Sequence, residues 1–174
     1  LNQKKGGGYW IWKYYLINKK VNEINDGEYI IYCDAGCQLN VKGLKRYYEY
    51  LDLLNNSNYG FISFPLQWNK KAEPPPNEGC NEKIWCVKQL LQYLNIDINS
   101  KIANSPQFAG GILILKKCEN TLKILEEYGK LLETDQKLIT DYYNDKGQEK
   151  FFRVTRHDQS IWGLLRKKYG SIVL

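Results

Sequence analysis

The sequence predicts an α/β protein in which a mixed, mostly parallel β-sheet carries helices on both faces. Short runs of strand-forming residues alternate along the chain with longer segments of helical periodicity, which is the order typical of α/β folds. The first predicted strand is nearly all apolar, as expected of a strand buried on both sides. The length of 174 residues suits one core, so we expect residues 1–174 to form a single domain.

The first part of the chain contains two predicted helices and two predicted strands. Apolar residues recur at helical spacing over residues 9–25, and turn residues follow them. Residues 29–33, with the sequence YIIYC, form the first predicted strand. A second helix is predicted over residues 41–56. A second strand is predicted over residues 59–64, because Pro65 cannot continue a central strand.

The alternation continues after a proline-rich loop, which we expect at residues 69–82. The remaining predicted elements are helices over residues 84–94, 118–132, 136–144 and 158–169, and strands over residues 111–115 and 151–154.

Composition narrows the class of partner. A formal net charge of +6 favours an anionic ligand such as a nucleotide or a sugar phosphate. We expect no nucleic-acid partner, because the lysines do not cluster on one predicted element and no RNA-binding motif is found. No apolar run has the length of a membrane span. The five cysteines do not have a common metal-binding spacing, which favours reduced thiols and a cytoplasmic location.

The stretch GEYIIYCDAGCQLN, at residues 27–40, ends its strand at a carboxylate, Asp34. Ligands of open α/β sheets bind outside the carboxyl ends of strands. Ala35 and Gly36 add little bulk, so a ligand can approach the backbone closely. A carboxylate there suits a divalent cation whose other ligands come from phosphate oxygens. The alternative is that Asp34 only begins a turn or caps a helix.

Three motifs, in this order, resemble glycosyltransferases of the GT-A fold: GYWIWK at residues 8–13, YCDAGC at 32–37 and RHDQS at 156–160. In those enzymes a helix leads into a strand that ends in an acidic DxD-type motif. The motif holds Mn²⁺ or Mg²⁺ against the diphosphate of a nucleotide sugar. The resemblance therefore implies a GT-A-like, Rossmann-like fold and a nucleotide-diphosphate sugar as donor. It also implies a hydroxyl acceptor on a glycan, lipid or protein.

The same resemblance implies roles for the acidic and histidine residues. Asp34 is expected to hold the metal, with His157 completing the metal shell. Asp158 is expected to act as the catalytic base or to orient the acceptor hydroxyl. The alternatives are a structural histidine and a helix N-cap at Asp158.

Donor-binding and sugar-binding residues follow from the resemblance as well. We expect one tryptophan ring, that of Trp12, to stack on a base or sugar and Lys13 to pair with phosphate, while core packing is the alternative for both Trp10 and Trp12. Residues 34–36, Asp34-Ala35-Gly36, are expected to contact the donor. The residues expected to line the sugar and acceptor are Gln107, Gly110, Gly111 and Gln159.

Two departures from the GT-A pattern bear on the expected function. Gly36 stands where DxD enzymes carry the second acid, so a non-catalytic nucleotide-sugar or carbohydrate-binding module is the alternative to a transferase. GT-A domains open with a strand that grips the base, and the chain begins at Leu1 without one. We therefore expect residues to be missing at the N-terminus.

Overall fold

A computed structural model describes residues 5–67 and 79–174. Most of the predicted proline-rich loop lies outside these residues. Within them, four strands form one sheet in the order β1-β3-β2-β4. The strands are β1 (Tyr29–Cys33), β2 (Phe61–Ser63), β3 (Ile112–Lys116) and β4 (Ile172–Val173).

Helices alternate with these strands, so the predicted α/β class is confirmed. The helices are α1 (Gly6–Tyr9), α2 (Ile11–Glu23), α3 (Leu44–Asn55), α4 (Glu82–Trp85), α5 (Lys88–Tyr93), α6 (Glu119–Asp135) and α7 (Asp158–Tyr169), with 3₁₀ turns at Val41–Gly43 and Gln136–Ile139.

Several element boundaries differ from the predicted ones. The helix expected over residues 84–94 divides into α4 and α5, because Cys86 between them has extended backbone angles. The strand predicted at residues 151–154 is wrong, since this segment is irregular. The short β4 was not predicted, and it pairs with β2 at the edge of the sheet.

The prediction of a mostly parallel sheet is also wrong for the described residues. β3 runs antiparallel to both β1 and β2, and only β2 and β4 pair in parallel. Strand direction depends on how the connections cross the sheet, and the apolar pattern of a single strand does not carry that information. As a result, the start of β3 lies beside the end of β1, where Cys33 is paired with Ile112.

Helices cover both faces of the sheet, as predicted. Successive side chains of a strand point to opposite faces. Leu113 and Leu115 of β3 belong to the main core, which also contains buried residues of α2, α6 and α7. Ile114, between them, packs instead with Ile62 of β2 and Leu54 of α3. One layer of helices therefore lies on one face, and α3 lies on the other.

A buried arginine ties α7 to the segment that precedes β3. Arg166 is fully buried and donates to the carbonyls of Ala109 and Trp162. Burial lowers the pKa of Arg166 to about 10. Since Ala109 directly precedes Gly110 and Gly111, this arginine holds the entrance to β3 against α7.

Two findings bear on the predictions of no membrane span and of reduced cysteines. Among the described residues no helix is both long and apolar enough to cross a lipid bilayer. All five cysteines are free thiols.

Candidate functional site

A cleft of about 320 Å³ opens where β1 ends, β3 begins and α7 starts. Its size falls at the lower end of the range of small-molecule sites. The lining residues are Lys5, Trp10, Lys13, Asp34, Gly110, Gly111, Val154, Thr155, Arg156, His157, Asp158 and Gln159. The cleft thus brings together seven of the residues that the sequence singled out, from four separate parts of the chain.

Asp34 directly follows β1 and is fixed by its backbone and by one of its carboxylate oxygens. Its N–H donates to the carbonyl of Gly111 at 2.8 Å, which extends the β1–β3 pairing by one residue. The Tyr32 hydroxyl donates to Oδ1 at 2.6 Å. Within the described residues Oδ2 accepts no hydrogen bond, and the side chain is 47% exposed. One oxygen is therefore anchored, and the other is left for a ligand.

Lys13 lies beneath the cleft with its ammonium between two carboxylates. Its side chain is only 3% exposed, and Nζ donates to the Gly110 carbonyl at 3.0 Å. The same Nζ lies 2.7 Å from Oδ2 of Asp158 and 3.4 Å from Oδ1 of Asp34. Only the carbonyl meets the geometry of a hydrogen bond, and the two carboxylates are ion-pair partners of the ammonium. Lys13 is thus committed to the two acids, and the expected direct pairing with phosphate does not fit this geometry.

Asp158 is the first residue of α7 and is 5% exposed. Burial raises its pKa from 3.8 to about 6, and the nearby charge of Asp34 acts in the same direction, whereas Lys13 opposes the rise. Oδ2 accepts no aligned hydrogen bond from the described residues, although Lys13 is close. A buried carboxylate with a pKa near neutrality has the properties of a general base.

His157 occupies the cap position of α7, with φ 53° and ψ −123°. Positive φ is strained for a residue other than glycine, and such strain often occurs at functional sites. Nδ1 lies 2.8 Å from the Ile139 carbonyl, which can only accept, so Nδ1 carries the proton. Nε2 faces Asp141 at 3.7 Å. Burial lowers the pKa of His157, which favours the neutral ring.

The donors present suit a cation that is shared with a ligand. No three His, Cys, Asp or Glu side chains among residues 5–67 and 79–174 group together as a metal site. Of the two carboxylates that line the cleft, that of Asp158 is buried and that of Asp34 is half exposed. One carboxylate suffices for Mg²⁺ when phosphates supply the other ligands. Asp34 fits this role. Because Nε2 of His157 faces Asp141, its role as a metal ligand stays a prediction.

Trp10 was not among the expected site residues, and it reaches the cleft through an unusual backbone. Residues 6–10 all have positive φ, so this segment forms a left-handed turn. Glycine adopts this conformation readily, whereas each L-residue in it costs roughly 1–2 kcal/mol. Tyr9 and Trp10 have this conformation, and their ring centroids lie 5.1 and 5.6 Å from that of His157. The Gly6-Gly7-Gly8 run was the available clue to this turn.

Two cations at the cleft, Lys5 and Arg156, were also missed as site residues. Lys5 pairs with Asp141 at 2.9 Å. The Arg156 guanidinium lies 4.2 Å from the centre of the Trp85 ring. Together with Lys13 they place three positive charges beside the carboxylates of Asp34, Asp158 and Asp141.

Four of the expected site residues do not line the cleft. Gln107 is 1% exposed and contacts protein groups behind the cleft, so its assignment as a direct reader of the sugar is wrong. Trp12 is 36% exposed and its ring nitrogen donates to Gly6, so the core alternative is wrong as well. Ala35 and Gly36 are exposed beside Asp34, and a Cβ at Gly36 would have no atom within 4 Å.

Comparison of the chain with known protein families, curated proteins and solved structures found no match.

Proposed function

We propose that the protein is a glycosyltransferase that moves a sugar from a nucleotide-diphosphate sugar to a hydroxyl acceptor. The observation that carries the proposal is the meeting of Asp34 and Asp158 at one cleft, with Lys13 between them. These residues come from the three motifs on which the resemblance to GT-A enzymes rests. Their convergence supports one common site.

In the proposed reaction Asp158 is the base. It accepts the proton of an acceptor hydroxyl while that oxygen forms a bond to the anomeric carbon, and the nucleoside diphosphate leaves with the electrons of the broken bond. A general base works best when its pKa lies near the working pH. Burial of Asp158, with a pKa of about 6, supports this assignment. This role belongs to an inverting enzyme, since a retaining one needs no base in that place.

Charge on the departing diphosphate has to be neutralised. Asp34 would hold Mn²⁺ or Mg²⁺ through its exposed carboxylate oxygen, and a bound cation supplies Lewis-acid stabilisation of the leaving group. Arg156, which forms no ion pair with the described residues, adds positive charge at the rim, where it favours an arriving anion. Lys13 acts indirectly, since it keeps the carboxylates of Asp34 and Asp158 in place.

A non-catalytic nucleotide-sugar-binding module is the second candidate. The observation that favours it is the sharing of one ammonium by both carboxylates, together with Gly36 in place of a second acid. Such a module would bind the same ligands at the same cleft without turnover.

The experiment that tests the proposal incubates the full chain with a panel of nucleotide sugars and acceptors and measures released nucleoside diphosphate, with and without Mn²⁺. A transferase releases nucleoside diphosphate in an acceptor-dependent manner, and Asp158→Asn abolishes the release. A binding module shows affinity for a nucleotide sugar by calorimetry but no release. Absence of both binding and release would refute both candidates.

A further inference from the structure

We propose that Gln159 presents its carboxamide oxygen to the cleft and accepts a hydrogen bond from a hydroxyl group of the donor sugar, with Gln107 as its positioning residue. This inference rests on the proposed function and adds a determinant of sugar recognition to it. A series of hydrogen bonds behind the cleft fixes the orientation of the side-chain amides of Gln107 and Gln159.

The series starts at Glu82, which is fully buried on α4. Oε1 forms an ion pair with Lys167 of α7 at 2.8 Å. Oε2 accepts from the Cys86 thiol at 3.1 Å and from Nε2 of Gln107 at 2.9 Å. An ionised carboxylate can only accept hydrogen bonds. The amide of Gln107 must therefore turn its NH₂ group towards Glu82.

The orientation of Gln107 decides the orientation of Gln159. With Nε2 committed to Glu82, the Gln107 oxygen points the other way and accepts from Nε2 of Gln159 at 3.0 Å. Nitrogen and oxygen of a side-chain amide are otherwise easily exchanged in a structure, and here the acceptor-only carboxylate resolves the choice.

Gln159 lines the cleft, and the orientation of its amide decides which atom it presents there. Its nitrogen is used by Gln107, and its Oε1 accepts no hydrogen bond from the described residues. Gly110 packs directly against the side chain, since a Cβ at Gly110 would lie 2.8 Å from Cβ of Gln159. A held acceptor oxygen selects a ligand group that donates, such as a sugar hydroxyl, because an acceptor that a bound ligand covers without pairing lowers affinity.

The test compares each sugar nucleotide with its own nucleoside diphosphate by calorimetry, using UDP-glucose with UDP and GDP-mannose with GDP. In the unmodified protein at least one sugar nucleotide should bind about tenfold more tightly than its nucleoside diphosphate, as expected for one good hydrogen bond and its surroundings. Gln159→Leu should bring this ratio close to one. Gln107→Leu should lower it several-fold, although Gln159 itself is intact. Gln92→Leu, on an exposed part of α5, is the control and should leave the ratio unchanged.

The outcomes separate this inference from the proposed function. If nucleoside diphosphate binds but Gln159→Leu keeps the full ratio, the role of Gln159 is refuted and the proposed function stands. A second outcome is that Gln159→Leu brings the affinity ratio to one while Gln107→Leu keeps the full ratio and an unchanged melting temperature. That result refutes the positioning role of Gln107. If none of the four probes binds, the proposed function fails, and this inference fails with it.

Discussion

The ammonium of Lys13 lies 2.7 Å from Oδ2 of Asp158, with both side chains almost completely buried. The same ammonium is 3.4 Å from the carboxylate of Asp34, so one positive charge serves two acids that lie far apart in the sequence. Like charges held close together in a poorly solvated site repel strongly. Lys13 therefore makes it possible for both carboxylates to be ionised at the same cleft.

Replacing Lys13 with methionine should destabilise the fold markedly. The change leaves two carboxylates without their shared cation, and breaking a buried ion pair typically costs about 3–5 kcal/mol. Urea unfolding at neutral pH measures the loss. Lys19→Met on the same helix is the matched control, because Lys19 is 72% exposed and its ion pair with Glu23 is screened by solvent. Equal losses in the two variants would show that the ammonium of Lys13 is not needed between the acids.

The pKa of Asp158 makes stability depend on pH in a direction unusual for a carboxyl group. Its folded-state pKa of about 6 lies above the ordinary 3.8, because burial disfavours the charged form, and the groups around it are Lys13, Asp34, Tyr32 and Tyr128. The contribution of this carboxyl to folding is therefore fully present below pH 3.8 and is lost as pH rises through about 6. Relative to Asp158→Asn, the unmodified protein should lose roughly 3 kcal/mol of unfolding free energy between about pH 4 and pH 7. A constant difference across that interval would contradict the raised pKa.

The same carboxyl should control the rate of sugar transfer. As the base, Asp158 works only when deprotonated, so kcat/KM should fall tenfold for each pH unit below about pH 6. Steady-state rates across this range measure the effect in the unmodified protein. Asp158→Asn should retain at most about one hundredth of the rate and show no such acid limb.

The position of Asp34 could be predicted from the sequence, whereas its partners could not. An apolar run of strand formers that stops at an acid identifies the carboxyl end of a strand, and β1 has the predicted bounds. The expectation that this strand is buried on both faces is wrong, because β1 lies at the edge of the sheet and Ile31 is exposed. The contact with Gly111 depends on the antiparallel direction of β3, which no local pattern encodes. The sequence did contain a clue to Lys13. It lies four and eight residues before Ile17 and Val21, on the buried face of α2, where a lysine needs a charged partner.

The role of Gln107 could not be predicted from its neighbours in the sequence. A polar residue beside two glycines before a strand reads as a ligand contact. Its partner Glu82 belongs to a different segment, and only the packing of α4 against α7 brings the two together. A polar side chain near a site can thus contact the ligand or position another residue, and only its tertiary contacts distinguish the two roles.

Asp34→Asn should abolish sugar transfer without unfolding the protein. The substitution removes the charge that would hold a divalent cation, while the half-exposed side chain costs under about 1 kcal/mol of stability. Calorimetry with UDP and GDP should show that Mn²⁺ no longer increases nucleoside diphosphate affinity. Asp26→Asn, at a side chain 86% exposed, is the control. Unchanged turnover in Asp34→Asn would mean that the catalytic site lies elsewhere.

Gly111→Ala should displace the Asp34 carboxylate and lower the rate of sugar transfer. An added Cβ would lie 2.7 Å from Oδ2 of Asp34, so the carboxylate has to move. Misplacement of a catalytic group by a fraction of an ångström lowers rates, and we expect a loss of about tenfold or more in kcat/KM. Gly43→Ala is the matched control, because a Cβ there meets no atom within 4 Å. If both variants keep the full rate, the position of Asp34 has no effect on catalysis.

Trp12 and Trp162 should respond very differently to truncation. Trp12 is 36% exposed on α2, and its ring nitrogen donates to Gly6 at 3.0 Å, so Trp12→Ala should cost about 1 kcal/mol. Trp162 is fully buried and packs edge-on against Tyr128 with ring centroids 4.8 Å apart. Its truncation leaves a cavity and should cost about 3–5 kcal/mol. Urea unfolding of both variants tests this ranking. A cost for Trp12→Ala as large as that for Trp162→Ala would place the Trp12 ring in the core, which was the alternative that the sequence left open.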